Sequence, residues 1–218
     1  MARKFQVGII GLGKFGFCFG ESMIQLGQSV VGVDNDPDKI KHSQSLFTQV
    51  YQADATDKSV LEQIGFADLE HVLVSVGSSI TASAMISMYL KELDVPNIWV
   101  KAISGDHQRL LHRIGVNEVI IPEQLAARQL ANRLAMPGFI DYLPFDKDVM
   151  LKEFTVNRWA GLTLRQIDLT NKYSIQVIAT RKGNQKRFRF IPKADEPLEK
   201  NDVMVLIGPE RQLNRIHA

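Results

Sequence analysis

A single cysteine, Cys18, rules out an intrachain disulfide and a cysteine-built zinc site. No apolar stretch reaches the roughly 20 residues that a membrane-spanning helix needs. The opening residues, MARKFQVGII, have neither the long apolar segment nor the cleavage site of a signal peptide, and they run straight into a strand-like pattern. These absences point to the cytoplasm. Catalytic signatures are equally scarce: there is no HExxH, no GxSxG elbow and no His/Cys cluster with metal-ligand spacing. His107 and His112 lie five apart, which does not bring two imidazoles onto one helix face for chelation. Net charge is only +2 over 218 residues, but it is unevenly spread. Residues 147–218 hold fourteen lysines and arginines against eight acids, whereas residues 1–146 hold twelve against sixteen. That asymmetry supports two units and leaves open either an anionic partner for the second or a solvated basic surface.

What is present is a recurrence of short apolar runs: FQVGII, SVVGVD, QVYQAD, HVLVSV, NIWVKA and EVII. Amphipathic stretches of helical length separate them, such as ITASAMISMYLKEL and DHQRLLHRI. Runs that are apolar throughout suit parallel strands covered on both faces, and the alternation reads as successive βαβ units. Right-handed crossovers make this a Rossmann-type, doubly wound parallel sheet, an α/β fold. Pro122 then starts a helix, PEQLAARQLANRLA, which Met136-Pro137-Gly138 stops. Its apolar residues Leu125, Leu130, Ala131 and Leu134 provide one face, to cover the sheet or to pack on a second subunit. FIDYLPFD reads as a linker. The strand candidates LKEFTV, SIQVIATR, KRFRFI and VMVLIG, with a short helix over 162–172, give a small α+β domain. The expected boundaries are 1–138 for the first domain with its crossover helix and 147–218 for the second.

Gly11, Gly13 and Gly16 spell GxGxxG between a strand and a helix. The first permits the tight turn, the second lets phosphate approach the backbone, and the third lets helix pack on strand; the phosphates then rest on free N–H groups at the helix N-terminus. The required acid about 20 positions on is Asp34, placed to accept from ribose hydroxyls. Neutral Asn35 follows with no arginine beside it, which favours a ribose without a 2′-phosphate. Asp36, directly before Pro37, is the better helix cap. Asp54 and Ala55 follow the third strand near the base position, where Asp54 also reads as a turn residue, with Thr56 or Asp57 capping the next helix. Gly77, Ser78 and Ser79 follow the fourth strand, and the two serines read as caps or ligand contacts. Lys101 ends the fifth strand, as a phosphate contact or a surface lysine. Cys18, within FCF, reads as a small buried hydrophobe.

GLGKFG, VVGVDNDPDKI, ADAT, SVGSSITAS, NIWVKA and IIPE, in that order, resemble the RCK/KTN family in its TrkA/KtrA branch, over essentially the whole chain. The resemblance implies an RCK-N domain followed by an RCK-C (TrkA-C) domain, in a cytoplasmic regulatory subunit of a potassium uptake system. It implies dimers assembling into an octameric ring, docked on a membrane potassium-translocating subunit at the inner face of the cell membrane. It also implies ATP or ADP in the N-domain, with NAD(H) in some members. Gly11, Gly13, Lys14, Phe15, Gly16, Asp34, Asn35, Asp54, Ala55, Gly77 and Lys101 fall at the nucleotide positions. The KtrA type has arginine at the place of Lys14, reaching a neighbour's γ-phosphate; lysine keeps the charge and loses the bidentate fork. Glu123 of IIPE matches a glutamate that helps hold a cation at the dimer interface, although an acid there also suits the helix dipole. Some members bind cyclic di-AMP between paired C-domains.

The leading expectation is therefore a ligand-gated regulator without turnover. The alternative is a small NAD-dependent oxidoreductase, which requires a substrate pocket and an acid–base residue beside the nicotinamide. A nucleic-acid-binding repressor is disfavoured, because the sequence starts at the first strand and offers no upstream helix-turn-helix.

Overall fold

The computed structural model describes residues 4–77, 79–143 and 146–216. The chain divides into two units, the first ending at Glu123 and the second beginning at Gln124.

In the first unit the apolar runs become β1 (Gln6–Ile10), β2 (Ser29–Asp34), β3 (Gln49–Gln52), β4 (His71–Val74), β5 (Asn97–Lys101) and β6 (Glu118–Ile120). Between them lie α1 (Lys14–Gln25), α2 (Pro37–Ser43), α3 (Lys58–Ile64), α4 (Ile80–Glu92) and α5 (Gly105–Ile114). All strands are parallel, in the order β3-β2-β1-β4-β5-β6. This is the Rossmann order, with its reversal between β1 and β4. β1 explains why its run is apolar from Val7 onward: Val7 and Ile9 enter one core cluster with Val30 and Phe47, while Ile10 enters another with Val33, Phe66 and Val74. Successive side chains point to opposite faces, and each face carries helices.

Helix starts follow from side-chain oxygens. Asp36 accepts from Asp38 N at the head of α2, Asp57 from Ser59 N at α3, Ser79 from Ala82 N at α4 and Ser104 from His107 N at α5. Each such cap is worth about 1 kcal/mol. Cys18 departs from expectation: it is exposed. The side of α1 against the sheet is built from Gly16 and Gly20, and at 100° per residue Cys18 lies across the helix from Gly16.

His107 is 1 % exposed, and its Nδ1 accepts from Ile103 N at 3.4 Å. Burial pushes its pKa below the ordinary histidine value, so the folded protein holds it neutral. The unfolded chain takes up a proton near pH 6.5 that the folded one resists, so stability is full above that pH and falls as pH drops below it. Thermal melts between pH 7.5 and 5.5 are expected to show a steeper loss for the natural protein than for His107→Asn; equal slopes would remove His107 as the cause.

The helix from Pro122, α6 (Pro122–Ala135), has no buried residue; Leu125, Leu130 and Leu134 are 49, 59 and 77 % exposed.

The second unit is an antiparallel sheet in the order β10-β9-β11-β8-β7. Its strands are β7 (Phe139–Leu143), β8 (Asp146–Thr155), β9 (Gln176–Arg181), β10 (Arg189–Phe190) and β11 (Val203–Pro209), and its helices are α7 (Leu164–Ile167), α8 (Leu169–Tyr173) and α9 (Glu210–Leu213). Met150, Val156, Ile175, Met204, Leu206 and Leu213 are fully buried in its core. Three expectations change here. FIDYL is not linker but an edge strand paired with β8, its Phe139 ring 5.1 Å from that of Tyr142. The helix over 162–172 breaks in two at Asp168, which takes a left-handed conformation at φ 56°. KRFRFI pairs over only two residues, because Ile191 turns away at φ 52°.

Candidate functional site

The loop after β1 separates the roles of its three glycines. Gly11 has φ +95°, and a Cβ on it would lie 2.8 Å from the Ser75 backbone. A Cβ on Gly16 would overlap the Gly11 carbonyl. Both positions demand glycine for the protein's own packing. Gly13 is different: its φ of −67° and ψ of −176° suit any residue, and a Cβ there would meet nothing within 4 Å. Gly13 is also the N-cap of α1, and no side chain caps that helix, whereas α2 to α5 each have one that does. The first turn of α1 thus presents N–H groups without intrahelical acceptors to open space, at the positive end of the helix dipole.

Asp34 ends β2 beside this loop and is 7 % exposed. Its Oδ2 accepts from Leu12 N at 2.7 Å, and its Oδ1 accepts from Asp36 N at 2.9 Å. Lys39 Nζ donates to both oxygens, at 3.3 and 3.4 Å. Asp34 therefore fastens the glycine loop to β2, and capping of α2 falls to Asp36. A carboxylate offers about four acceptor positions, and these four contacts use them, so a ribose hydroxyl would bond to Asp34 in place of one of the longer Lys39 contacts. Lys39 was not anticipated. The only signal for it was Pro37, which fixes the start of α2 and thereby returns the first turn's lysine toward the strand end.

Asp54 and Ala55 face Asp34 across a cleft of about 230 Å³, whose lining also includes Gly11, Asn35, Lys39 and the apolar Val33 and Ile86. Asp54 Oδ1 accepts from Thr56 N at 2.9 Å and Thr56 Oγ1 at 2.7 Å, and these bonds hold its carboxyl below the usual carboxylate range. It is a turn residue and a cleft residue at once. Ser79 caps α4 and lines the same cleft; Ser78 lies outside the described residues.

A second group gathers at the C-terminal end of β5. Lys101 Nζ is 2.8 Å from Glu123 Oε1 and 5.8 Å from the centroid of the Phe15 ring. A Cβ on Gly77 would stand 3.8 Å from that ammonium. The lysine holds the Glu123 carboxyl below its ordinary pKa through their hydrogen bond. Phe15 is the second residue of α1, so this cation stands by the open helix start. Lys14 is exposed and outside the cleft lining. Among the described residues no three His, Cys, Asp or Glu side chains gather as a metal site, and Glu123 stands with a cation instead of with other carboxylates.

The chemistry this arrangement offers is recognition. Open N–H groups and Lys101 suit phosphate oxygens, Asp34 and Asp54 suit hydroxyl donors, and the apolar lining suits a ring. These features fit a nucleotide.

Two family models match the chain in sequence order: the TrkA-N domain over residues 7–122 and the TrkA-C domain over residues 151–218. Ktr system potassium uptake protein C of Bacillus subtilis is 32% identical over 213 residues, covering 97% of this chain and 96% of that protein. The fold is like that of the crystal structure of the GsuK RCK domain, with a TM-score of 0.64 at 19% identity, over 97% of this chain and 46% of that one. It is also like that of the GsuK channel bound to NAD, with a TM-score of 0.55 at 16% identity, over 96% of this chain and 37% of that one. Among the described residues no helix is long and apolar enough to cross a membrane. Matched in both halves and along its length, the chain belongs to the TrkA family, a TrkA-N domain followed by a TrkA-C domain.

Proposed function

We propose that this chain is a nucleotide-sensing regulatory subunit of a potassium uptake system, working in the cytoplasm on a membrane-embedded translocating subunit and turning over no substrate. The observation that carries this reading is the open cradle at Gly13, uncapped and clear of protein atoms, beside the cleft under Asp34. The relative named for potassium uptake supports the system to which it belongs. Gly11, Gly13, Phe15, Gly16, Asp34, Asn35, Asp54, Ala55, Gly77 and Lys101 surround the nucleotide. Lys14, at the rim, is available to a neighbouring copy's phosphates. ATP or ADP is the operative ligand, with NAD(H) using the same adenosine site; the GsuK channel with NAD bound is a fold relative consistent with that. Glu123 completes a cation site together with phosphate oxygens at an interface between copies. Those copies form dimers and then an octameric ring, and the exposed leucines of α6 supply apolar surface for the contact. The second unit has a cleft of about 230 Å³ lined by Arg181, Lys182, Arg189 and Lys193 and by Glu196 and Asp202, which pair with Arg189 and Lys182, so Arg181 and Lys193 are the cations offered to an anion such as cyclic di-AMP.

Regulation requires only that two ring shapes bind nucleotide unequally; tight binding with equal affinity shifts nothing. A coupling of about 1–3 kcal/mol per site, repeated around a ring, is enough to bias a gate. Calorimetric titration with ATP, ADP, NAD+ and NADH, with mass and small-angle scattering measured in each state, tests this. ATP and ADP are expected to give different scattering profiles. The same profile with every nucleotide would end the gating account, and steady oxidation of NADH by a metabolite would replace it with an oxidoreductase.

A further inference from the structure

The cleft beneath Asp34 holds two carboxylates whose oxygens are differently engaged. Both oxygens of Asp34 already accept, from Leu12 N, Asp36 N and Lys39 Nζ. Asp54 accepts only through Oδ1, from Thr56 N and Thr56 Oγ1; among the described residues nothing donates to its Oδ2. The backbone is fixed on either side of it: Ala53 N donates to the Asp34 carbonyl at 3.0 Å, and Ala55 is buried in the core. The outer torsion of an aspartate is broad, so a fixed backbone leaves the carboxylate free to turn, and the half-buried Thr56 is what holds it. Strand order sets what such an acceptor meets. With phosphate at the end of β1 and ribose at the end of β2, the next position across the sheet is the end of β3. There Asp54 shares the cleft lining with the apolar Val33, Ala53 and Ile86.

We propose that Thr56 is a positioning residue for base recognition: it holds Asp54 by one oxygen and leaves the other facing the ring edge, where it selects an exocyclic amino group over a carbonyl. The inference rests on the nucleotide reading above. An ionised carboxylate only accepts. An amino N–H therefore gains a charge-assisted bond at Oδ2, whereas a ring carbonyl oxygen brings a like partial charge and gains none. The Thr56 bonds also lower the pKa of Asp54, which keeps it in that acceptor-only form. A carboxylate free to turn would satisfy itself in water and meet either ring with little preference. Thr56 acts through Asp54 alone, so the hydroxyl two residues beyond the strand-end acid decides how sharply the base is read.

ADP and IDP provide the test, because they differ at one ring position, an amino group in the first and a carbonyl in the second. Calorimetry on the full-length protein is expected to show ADP bound about ten- to a hundredfold more tightly than IDP, the range for a hydrogen bond to a charged group. Thr56→Val keeps the backbone N–H and loses the hydroxyl; it should weaken ADP about fivefold and leave IDP unchanged. Thr56→Ser should restore the natural ratio. In an Asp54→Asn background Thr56→Val should not alter the ratio, the two positions being coupled only through their contact. Each ratio is taken on one preparation, so a partly unfolded fraction cancels. Equal weakening of ADP and IDP by Thr56→Val would mean a loosened turn and overturns the positioning role, as does an unchanged ratio. Equal affinities in the natural chain overturn base reading at Asp54 and leave the nucleotide site standing. Failure of the natural chain to bind either nucleotide overturns both.

Discussion

Gly13→Asp is expected to lower nucleotide affinity by about a hundredfold or more while leaving the melting temperature of the protein almost unchanged. The two halves of that expectation have separate physical causes. A Cβ at Gly13 meets no protein atom within 4 Å, and the backbone there is extended, so aspartate fits the free protein without clash or strain. An acid at a helix N-cap is favourable in its own right, since it can accept from the first-turn N–H groups that α1 leaves open. Those groups are the ones proposed for phosphate. The substitution removes them by capping and adds a like charge at contact distance, where two unit charges about 4 Å apart repel by about 4 kcal/mol at the effective dielectric of a partly exposed site. Gly16→Ala provides the contrast: its Cβ would overlap the Gly11 carbonyl, so it is expected to destabilise the fold whether or not ligand is present. Calorimetry and thermal melts on both variants distinguish the cases. Undiminished ATP affinity in Gly13→Asp would take the loop out of the site.

The division of labour among these glycines explains how much of the site was legible beforehand. The strand, the turn and the acid at the end of β2 announce themselves because a parallel strand must be apolar on both faces and a tight turn must carry glycine. Asp36 as a cap follows from the proline behind it. Lys39 and the Lys101–Glu123 pair do not announce themselves, because both depend on where two segments distant in sequence come to rest. The spacing of 22 residues between Lys101 and Glu123 carries no period that could be read. Cys18 was misplaced for a related reason. In a helix packed through Gly16 and Gly20 the small residues, not the apolar ones, mark the buried side, and a hydrophobicity pattern points to the wrong face. FIDYL reads as linker in the sequence because an edge strand with one polar side has little of the apolar continuity that marks a parallel core strand. Phe139 and Tyr142, which pack against the second core, were the available signal.

The leucines of α6 lead to a prediction of comparable size about assembly. This helix runs 14 residues without burying one, yet carries Leu125, Leu130 and Leu134 at 49 to 77 % exposure. A helix gains most of its stability from packing an apolar face and little from propensity alone. A solvent-facing one would be expected to replace such leucines with charge. Each leucine taken from water contributes about 1.5–3 kcal/mol, so a symmetric contact that buries Leu130 and Leu134 from two copies gains from four side chains at once. Replacing both leucines with aspartate removes that gain and sets carboxylates against one another across the symmetry axis, where residues tend to meet their own equivalents. Leu130→Asp/Leu134→Asp is therefore expected to halve the measured mass, or reduce it further, at micromolar concentration. AMP binding should be retained, because neither residue lines the cleft beneath Asp34. Light scattering coupled to size exclusion reads the mass directly. An unchanged mass would mean that α6 is not a contact between copies.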